Sequence, residues 1–202
     1  MTTMTRPAGL LLAAMLAAGL LLAGCGDDTD PATRTEQLLE VAERGDLSAL
    51  DALLRRNRTA DVRDSCDWTP LMKAAVNGHR EAAAKLIAAG ADVDAADKGG
   101  YTPLLLAASN NHADVVALLL DHGAMIDAQE QTQGYTPLLW AAQRGHAETV
   151  QLLLARGADA TLPDREGHDA AWHAAEQGHG AAAALLAPTP AAAAPATALP
   201  SS

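Results

Sequence analysis

The chain has 202 residues with 14 Lys and Arg against 25 Asp and Glu, a formal net charge of −11, and only five aromatic side chains: three Trp, two Tyr and no Phe. An excess of acid on this scale repels phosphate backbones and disfavours a nucleic-acid partner. Two cysteines, Cys25 and Cys66, leave room for at most one internal disulfide.

In chain order, residues 1–24 differ from everything after them. Arg6 is followed by an apolar run from Ala8 to Gly24. The run is short and weakly flanked for a membrane span, and it has the layout of a secretory signal peptide. Leu22-Ala23-Gly24-Cys25 resembles the bacterial lipoprotein box. That resemblance implies cleavage before Cys25, lipidation of its thiol and a lipid anchor in the membrane. Removal of residues 1–24 takes away one Arg and no acid, which leaves 13 basic residues against 25 acidic ones, a charge of −12. Residues 25–35 then form the lipidated Cys and a tether, because GDDTDPATRT is too polar to fold alone. Ten residues reach at most about 33–36 Å, so the rest of the chain is expected to work close to the bilayer. With Cys25 acylated, only Cys66 remains for redox chemistry; its place in a shortened loop predicts exposure.

From Glu36 onward the chain repeats itself. Thr-Pro-Leu begins at Thr69, Thr102 and Thr136, with Ala-Ala following at Ala74, Ala107 and Ala141. A Gly-His or Asn-His pair comes next (Gly78-His79, Asn111-His112, Gly145-His146), and Gly-Ala closes each unit at Gly90, Gly123 and Gly157. Each unit predicts two short helices. Thr102 caps the first with its hydroxyl, and Pro103 suits the first helical position, where its missing N–H loses nothing. Leu104, Ala107 and Ala108 share one face, small enough for a second helix to approach. The second helix, 113–121, turns Val115, Val116, Leu118, Leu119 and Leu120 inward, and Gly123 ends it. Full units span 67–98, 99–133 and 134–166. A degenerate opening unit (Glu36 to Arg44, then Leu47 to Arg56) and a weak closing one (167–187, with Asp169 and Ala170 for Thr-Pro) flank them as caps. Arg55, Arg56, Arg58 and Arg63 gather at the end of the opening unit, as a solvated loop or as a contact to anionic lipid or an acidic partner. The uncharged Pro- and Ala-rich stretch 188–202 reads as a disordered tail.

The period and the motif resemble the ankyrin repeat over Glu36 to Ala187. The resemblance implies an all-α ankyrin-repeat solenoid of about five units including its caps, domain 36–187, stabilised by stacking of neighbours. The family's usual Thr-Pro-Leu-His is broken at its fourth residue by Met72, Leu105, Leu139 and Trp172, so its Thr–His hydrogen bond is expected to be absent, with burial in its place.

Seven histidines invite a metal reading. Four of them, His79, His112, His146 and His179, occupy the repeated position, so they fall on successive units about 10 Å apart and cannot share one ion. His168, His173 and His179 are closer in sequence, yet no Cys or regularly placed carboxylate completes a ligand set, and no metal or cofactor is expected. No phosphate loop or nucleophile elbow occurs, and the chain reads as non-enzymatic.

Function is therefore expected on the concave surface that the resemblance implies, built from hairpin tips and first helices, with an unidentified protein as partner. Trp68, Tyr101, Tyr135 and His168 share the register before the Thr position and predict an aromatic ladder, either as binding anchors or as covers for neighbouring hairpin stems. Val76 with Asn77, Ser109 with Asn110, Gln143 with Arg144, and Glu176 with Gln177 follow each Ala-Ala and are implied to face the groove. Trp140 lies near these positions, either in the core or facing the groove. Gln131 and Gln133 lie in a hairpin one residue longer than its neighbours, either a binding tip or a tolerated insertion. The overall expectation is an anchored interaction module facing the periplasm. Narrower alternatives are an immunity or inhibitor protein against a cell-envelope toxin or hydrolase, an accessory factor in peroxide defence, or a metal-binding protein.

Overall fold

The computed structural model describes residues 31–56 and 59–187. The expected signal peptide and C-terminal tail, with Cys25 and Arg58, lie outside the described residues. Among the described residues ten helices follow one another in five pairs: α1 (Pro31–Arg44) with α2 (Leu47–Arg56), α3 (Pro70–Val76) with α4 (Arg80–Ala88), α5 (Pro103–Ser109) with α6 (Ala113–Asp121), α7 (Pro137–Gln143) with α8 (Ala147–Ala155), and α9 (Ala170–Glu176) with α10 (Gly180–Leu186). The first helices pack side by side in the order α1, α3, α5, α7, α9, and the second helices form a parallel row from α2 to α10. The described residues contain no strand. The all-α stack of five units expected from the period is what the chain forms.

Each helix start follows from its sequence. Thr69, Thr102 and Thr136 are buried and extended, and each hydroxyl accepts the N–H three residues on, from Met72, Leu105 and Leu139 at 3.1–3.3 Å. Asp169 does the same for Trp172 at 2.8 Å without a following proline. The missing family histidine is replaced by burial in three units, since Met72, Leu105 and Leu139 are essentially inaccessible. In the fourth it is not, because Trp172 is 42% exposed.

The opening helix departs from expectation. It is 14 residues long where α3, α5, α7 and α9 have seven, and it begins at Pro31. Residues 31–35 of the expected tether are therefore helical. Proline is favoured in a first turn, and Leu38, Leu39 and Ala42 at helical spacing bury against the next unit, so the helix is held from its far end.

The repeated histidines join the units. His79, His112, His146 and His179 each donate Nε2–H to a backbone carbonyl of the preceding unit, those of Glu43, Val76, Ser109 and Gln143, at 2.9–3.2 Å. A carbonyl only accepts, so the bond fixes the tautomer. The imidazole lies over the residue that ends the preceding first helix. At Gly78, with φ +72°, an added Cβ would stand 2.5 Å from Nδ1 of His112, and Gly145 is equally close to His179. Asn111 takes the same left-handed conformation with a side chain, φ 61°; its Oδ1 accepts the Thr149 hydroxyl at 2.9 Å, and the His146 bond is the longest of the four at 3.2 Å. Burial also holds the His146 imidazole below its usual pKa, against the Ser109 carbonyl, which favours the protonated ring. These four histidines are structural, as their spacing predicts.

Candidate protein-interaction face

The loops that lead into α3, α5, α7 and α9 are built on one device. A carboxylate at the loop's start accepts backbone N–H groups two and four residues later: Asp64 from Cys66 and Trp68, Asp97 from Gly99 and Tyr101, Asp164 from Glu166 and His168, all at 2.8–2.9 Å. This presents Trp68, Tyr101 and His168 beside the first helix. The third loop has one residue more and begins with Glu130 instead of Asp. One extra methylene spans the insertion, so Oε1 accepts from Gln133 and Tyr135 at 2.8 and 3.0 Å, and Oε2 accepts from the N–H and hydroxyl of Thr132. The long hairpin is thus an accommodated insertion. Its tip stays accessible, with Gln131 and Gln133 exposed, and its backbone is tied to both neighbours, Gln131 N–H to Gly99 O at 2.8 Å and Arg165 N–H to Gln133 O at 2.9 Å.

Glu130 is 2% exposed. Burial pushes its carboxyl pKa up, but the hydrogen bonds from Thr132, Tyr135 and Gln133 outweigh that and hold it below the usual 4.5. A depressed carboxylate contributes stability that is present above its unfolded pKa and lost as pH falls through the folded one. The melting temperature of the wild type should therefore fall on acidification below about pH 4.3, the unfolded Glu range. Glu130→Gln, melted across the same range, should start lower at neutral pH and show a shallower acid decline. Parallel curves for the two proteins would mean that Glu130 is not a stabilising anion.

The aromatic residues do form a ladder, but not the one read from the register alone. Tyr101 and Tyr135 are both in contact with Trp140, at 6.3 and 5.0 Å between centroids, and Tyr135 meets His173 edge-on at 5.0 Å. Trp140 and His173 sit at the same place in α7 and α9, four residues after the capping Thr136 and Asp169. The register of residues before the Thr position does not include this second one, although the repeated offset marks it. Trp140 is half-buried between the tyrosines and packed against the main core without being enclosed in it; its Nε1 is buried without a hydrogen-bond partner, and the Arg144 guanidinium lies 5.2 Å over its ring. Trp68 is a separate rung: it packs, as Val76 and Tyr101 do, against the small cluster of Met72, Ala95 and Leu106, and is covered by Lys73 Nζ at 5.0 Å.

Two expected contact residues are not accessible. Tyr135 is 4% exposed and Ser109 8%. Tyr135 is an internal rung whose hydroxyl accepts from Gln143 Nε2 at 3.3 Å; burial, with Asp164, Glu166 and Glu130 nearby, raises its pKa and keeps the phenol neutral. Ser109 gives its hydroxyl to Leu106 O at 3.0 Å. Val76, Gln143, Tyr101 and His168 are half-buried, whereas Asn77, Asn110 and Arg144 are exposed. These last three follow α3, α5 and α7 at one register. Asn77 and Asn110 cap their helices by donating to Lys73 O and Leu106 O at 2.9 and 2.8 Å. The face is therefore a partly covered aromatic rail edged by a regular row of amides and one guanidinium.

Elsewhere the expected basic cluster is divided. Arg55 and Arg56 are exposed at the end of α2, and Arg63 donates to Ala96 O of the next unit at 3.0 Å, so Arg63 is a contact between units. Cys66 is a free, exposed cysteine.

The repeat geometry has an independent counterpart in comparison. The family model described as "Ankyrin repeats (3 copies)" matches residues 38–130 and 124–194. The chain belongs to the ankyrin repeat family. No curated protein matches it. Ankyrin repeats are modules for binding other proteins, and the aromatic rail with its polar edge occupies the loops and first helices of this ankyrin stack.

The last ankyrin unit holds a cluster that its sequence suggested only in part, through His168 and His173. Asp164, His168 and His173 bring one ligand-type atom each to within 4.8 Å of one another. Asp164 supplies the carboxylate that the sequence pattern of the histidines lacks, and His179 is not part of the group, being bound to Gln143 O. Burial works to raise the Asp164 carboxyl, but the N–H of His168, the His173 ring and the N–H of Glu166 hold it below the usual 3.8.

Proposed function

We propose that this ankyrin-repeat chain is an exported, lipid-anchored protein of the bacterial cell envelope that faces the periplasm and binds another protein through its first-helix face, without catalysis. The observation that carries the binding reading is the row Asn77, Asn110 and Arg144, exposed along the rail of Tyr101 and Trp140. Trp, Tyr and Arg side chains are enriched among the few residues that carry most of the energy of a protein interface. The anchoring reading rests on Leu22-Ala23-Gly24-Cys25 at the end of an apolar run. Among the described residues no helix is long and apolar enough to cross a membrane.

Fatty-acid labelling and membrane crosslinking test both parts. The wild type should incorporate labelled acyl chains and recover a discrete partner from crosslinked membranes, while Cys25→Ser should remain an unprocessed, unlabelled precursor. Label retained by Cys25→Ser removes the anchor. Failure of an otherwise folded, anchored protein to crosslink any protein removes the binding reading.

A further inference from the structure

We propose that the closing ankyrin unit is a binding site for a divalent transition-metal ion of the zinc class, held by Asp164, His168 and His173 with Glu166 beside them.

The site uses a scaffold that every loop of the stack shares. Backbone N–H groups of Glu166 and His168 fix Asp164 Oδ1 at 2.8 and 2.9 Å. This leaves Oδ2 aimed at His173 Nε2, 2.8 Å away, and 4.0 Å from His168 Nδ1. In the preceding units the two positions matching His168 and His173 are Trp68 and Lys73, Tyr101 and Leu106, and Tyr135 and Trp140. Only the last unit places an imidazole at both, around a carboxylate that is already oriented. A tetrahedral ion with bonds of about 2.0–2.1 Å separates its ligands by about 3.3 Å, and the separations of 2.8 and 4.0 Å stand on either side of that value. Small side-chain rotations suffice to close the set.

A second observation is independent of that spacing. His168 Nδ1 is buried and has no hydrogen-bond partner, although its ring is held flat against Trp172 at 3.6 Å and an interplanar angle of 9°. A buried, unpaired ring nitrogen is costly, and here it faces the carboxylates of Asp164 and Glu166, the latter with Oε2 at 3.7 Å. A cation between them satisfies the nitrogen. His173 and Asp164 have side chains only 7% and 3% exposed, and beside them opens a cleft of about 290 Å³ lined by Tyr135, Glu166 and Trp172, which gives an ion a way in. Glu166 or water fills the fourth position. Two imidazoles select a borderline ion such as Zn²⁺ over Ca²⁺ or Mg²⁺, which prefer all-oxygen sets. On binding, the ion replaces the proton between His173 Nε2 and Asp164 Oδ2, and that proton moves to Nδ1 of the same ring or to buffer.

Full-length chain in detergent, stripped with chelator and exchanged into metal-free buffer, is titrated with Zn²⁺ by calorimetry and with Co²⁺ by visible absorption. The expected result is saturable 1:1 binding with the intense visible bands of a tetrahedral cobalt ion. His168→Gln and His173→Gln should each weaken binding by more than the roughly 10–100-fold that loss of a ligand's hydrogen-bond partner costs. His122→Gln, at an exposed histidine beyond α6, should bind as the wild type does. Should His173→Gln unfold, His168→Gln decides, because that ring is only half-buried. No stoichiometric binding, binding that survives His168→Gln, or equal loss in His122→Gln would each overturn the site.

Discussion

Leu119→Ala should lower the melting temperature of this protein by about 4–20 °C, while the same truncation in the closing unit, Leu186→Ala, should cost distinctly less. Leu86, Leu119, Leu153 and Leu186 occupy one position in α4, α6, α8 and α10, spaced 33 or 34 residues apart. The first three are fully buried and the fourth is 8% exposed. Truncating a buried Leu removes its transfer free energy and leaves a cavity, a loss of about 2–5 kcal/mol, and in a domain of this size each kcal/mol moves the midpoint by about 2–4 °C. Leu119 stands between two neighbouring units, and its loss is felt on both sides. Leu186 has the preceding unit on one side only among the described residues, and its own helix, GAAAALL, buries only Ala182 besides. In a stack of nearest-neighbour interfaces the end unit opens first. Thermal melts of Leu119→Ala and Leu186→Ala, with hydrogen exchange read unit by unit, check this. Equal losses at Leu119 and Leu186, or uniform protection through residue 187, would show that the closing unit is not a weak end.

The fold was legible because its signals are local and repeated. Thr-Pro names a helix start by cap chemistry, a left-handed Gly or Asn ends the first helix, and a period of 33 or 34 residues says that these pairs stack. Even the repeated histidines could be anticipated as structural, since copies at one period must lie on different units, although their bonds to the preceding unit could not. What stayed hidden was mostly the work of side chains within a loop. That Glu130 absorbs an insertion through one methylene is visible only once Tyr135 N–H and Glu130 Oε1 are 3.0 Å apart, although the insertion and the exchange of Asp for Glu fall in the same unit. The rungs Trp140 and His173 share an offset from their caps, but Lys73 and Leu106 stand at that offset in earlier units and disguise it. Asp164 was overlooked as a partner for histidines because every unit spends one such carboxylate on its loop; only its second oxygen, 2.8 Å from His173, sets it apart. The early start of α1 went unread because PATRT is polar, and its helicity depends on burial of Leu38 and Ala42 further along.

Replacing Tyr101 and Arg144 together by Ala should weaken partner binding by about 2 kcal/mol or more, roughly 30-fold, whereas Glu148→Ala should leave it nearly unchanged. Arg144 is exposed with its guanidinium 5.2 Å above Trp140, and Tyr101 is half-buried 6.3 Å from the same ring. The pair removes the accessible parts of the rail on two adjacent units without touching Tyr135, whose burial would confuse lost contact with lost packing. Glu148 is exposed on α8, in the row of second helices, so a partner seated on the first helices does not reach it. Stability should change less than affinity for the double variant, because neither side chain belongs to the inaccessible core. The measurement is titration of the wild type and the variants against the partner recovered by crosslinking, with thermal melts on the same samples. If Glu148→Ala costs as much as the pair, binding is on the second-helix row. If the pair loses affinity only in proportion to stability, Tyr101 and Arg144 brace the stack and the interaction face lies elsewhere on it.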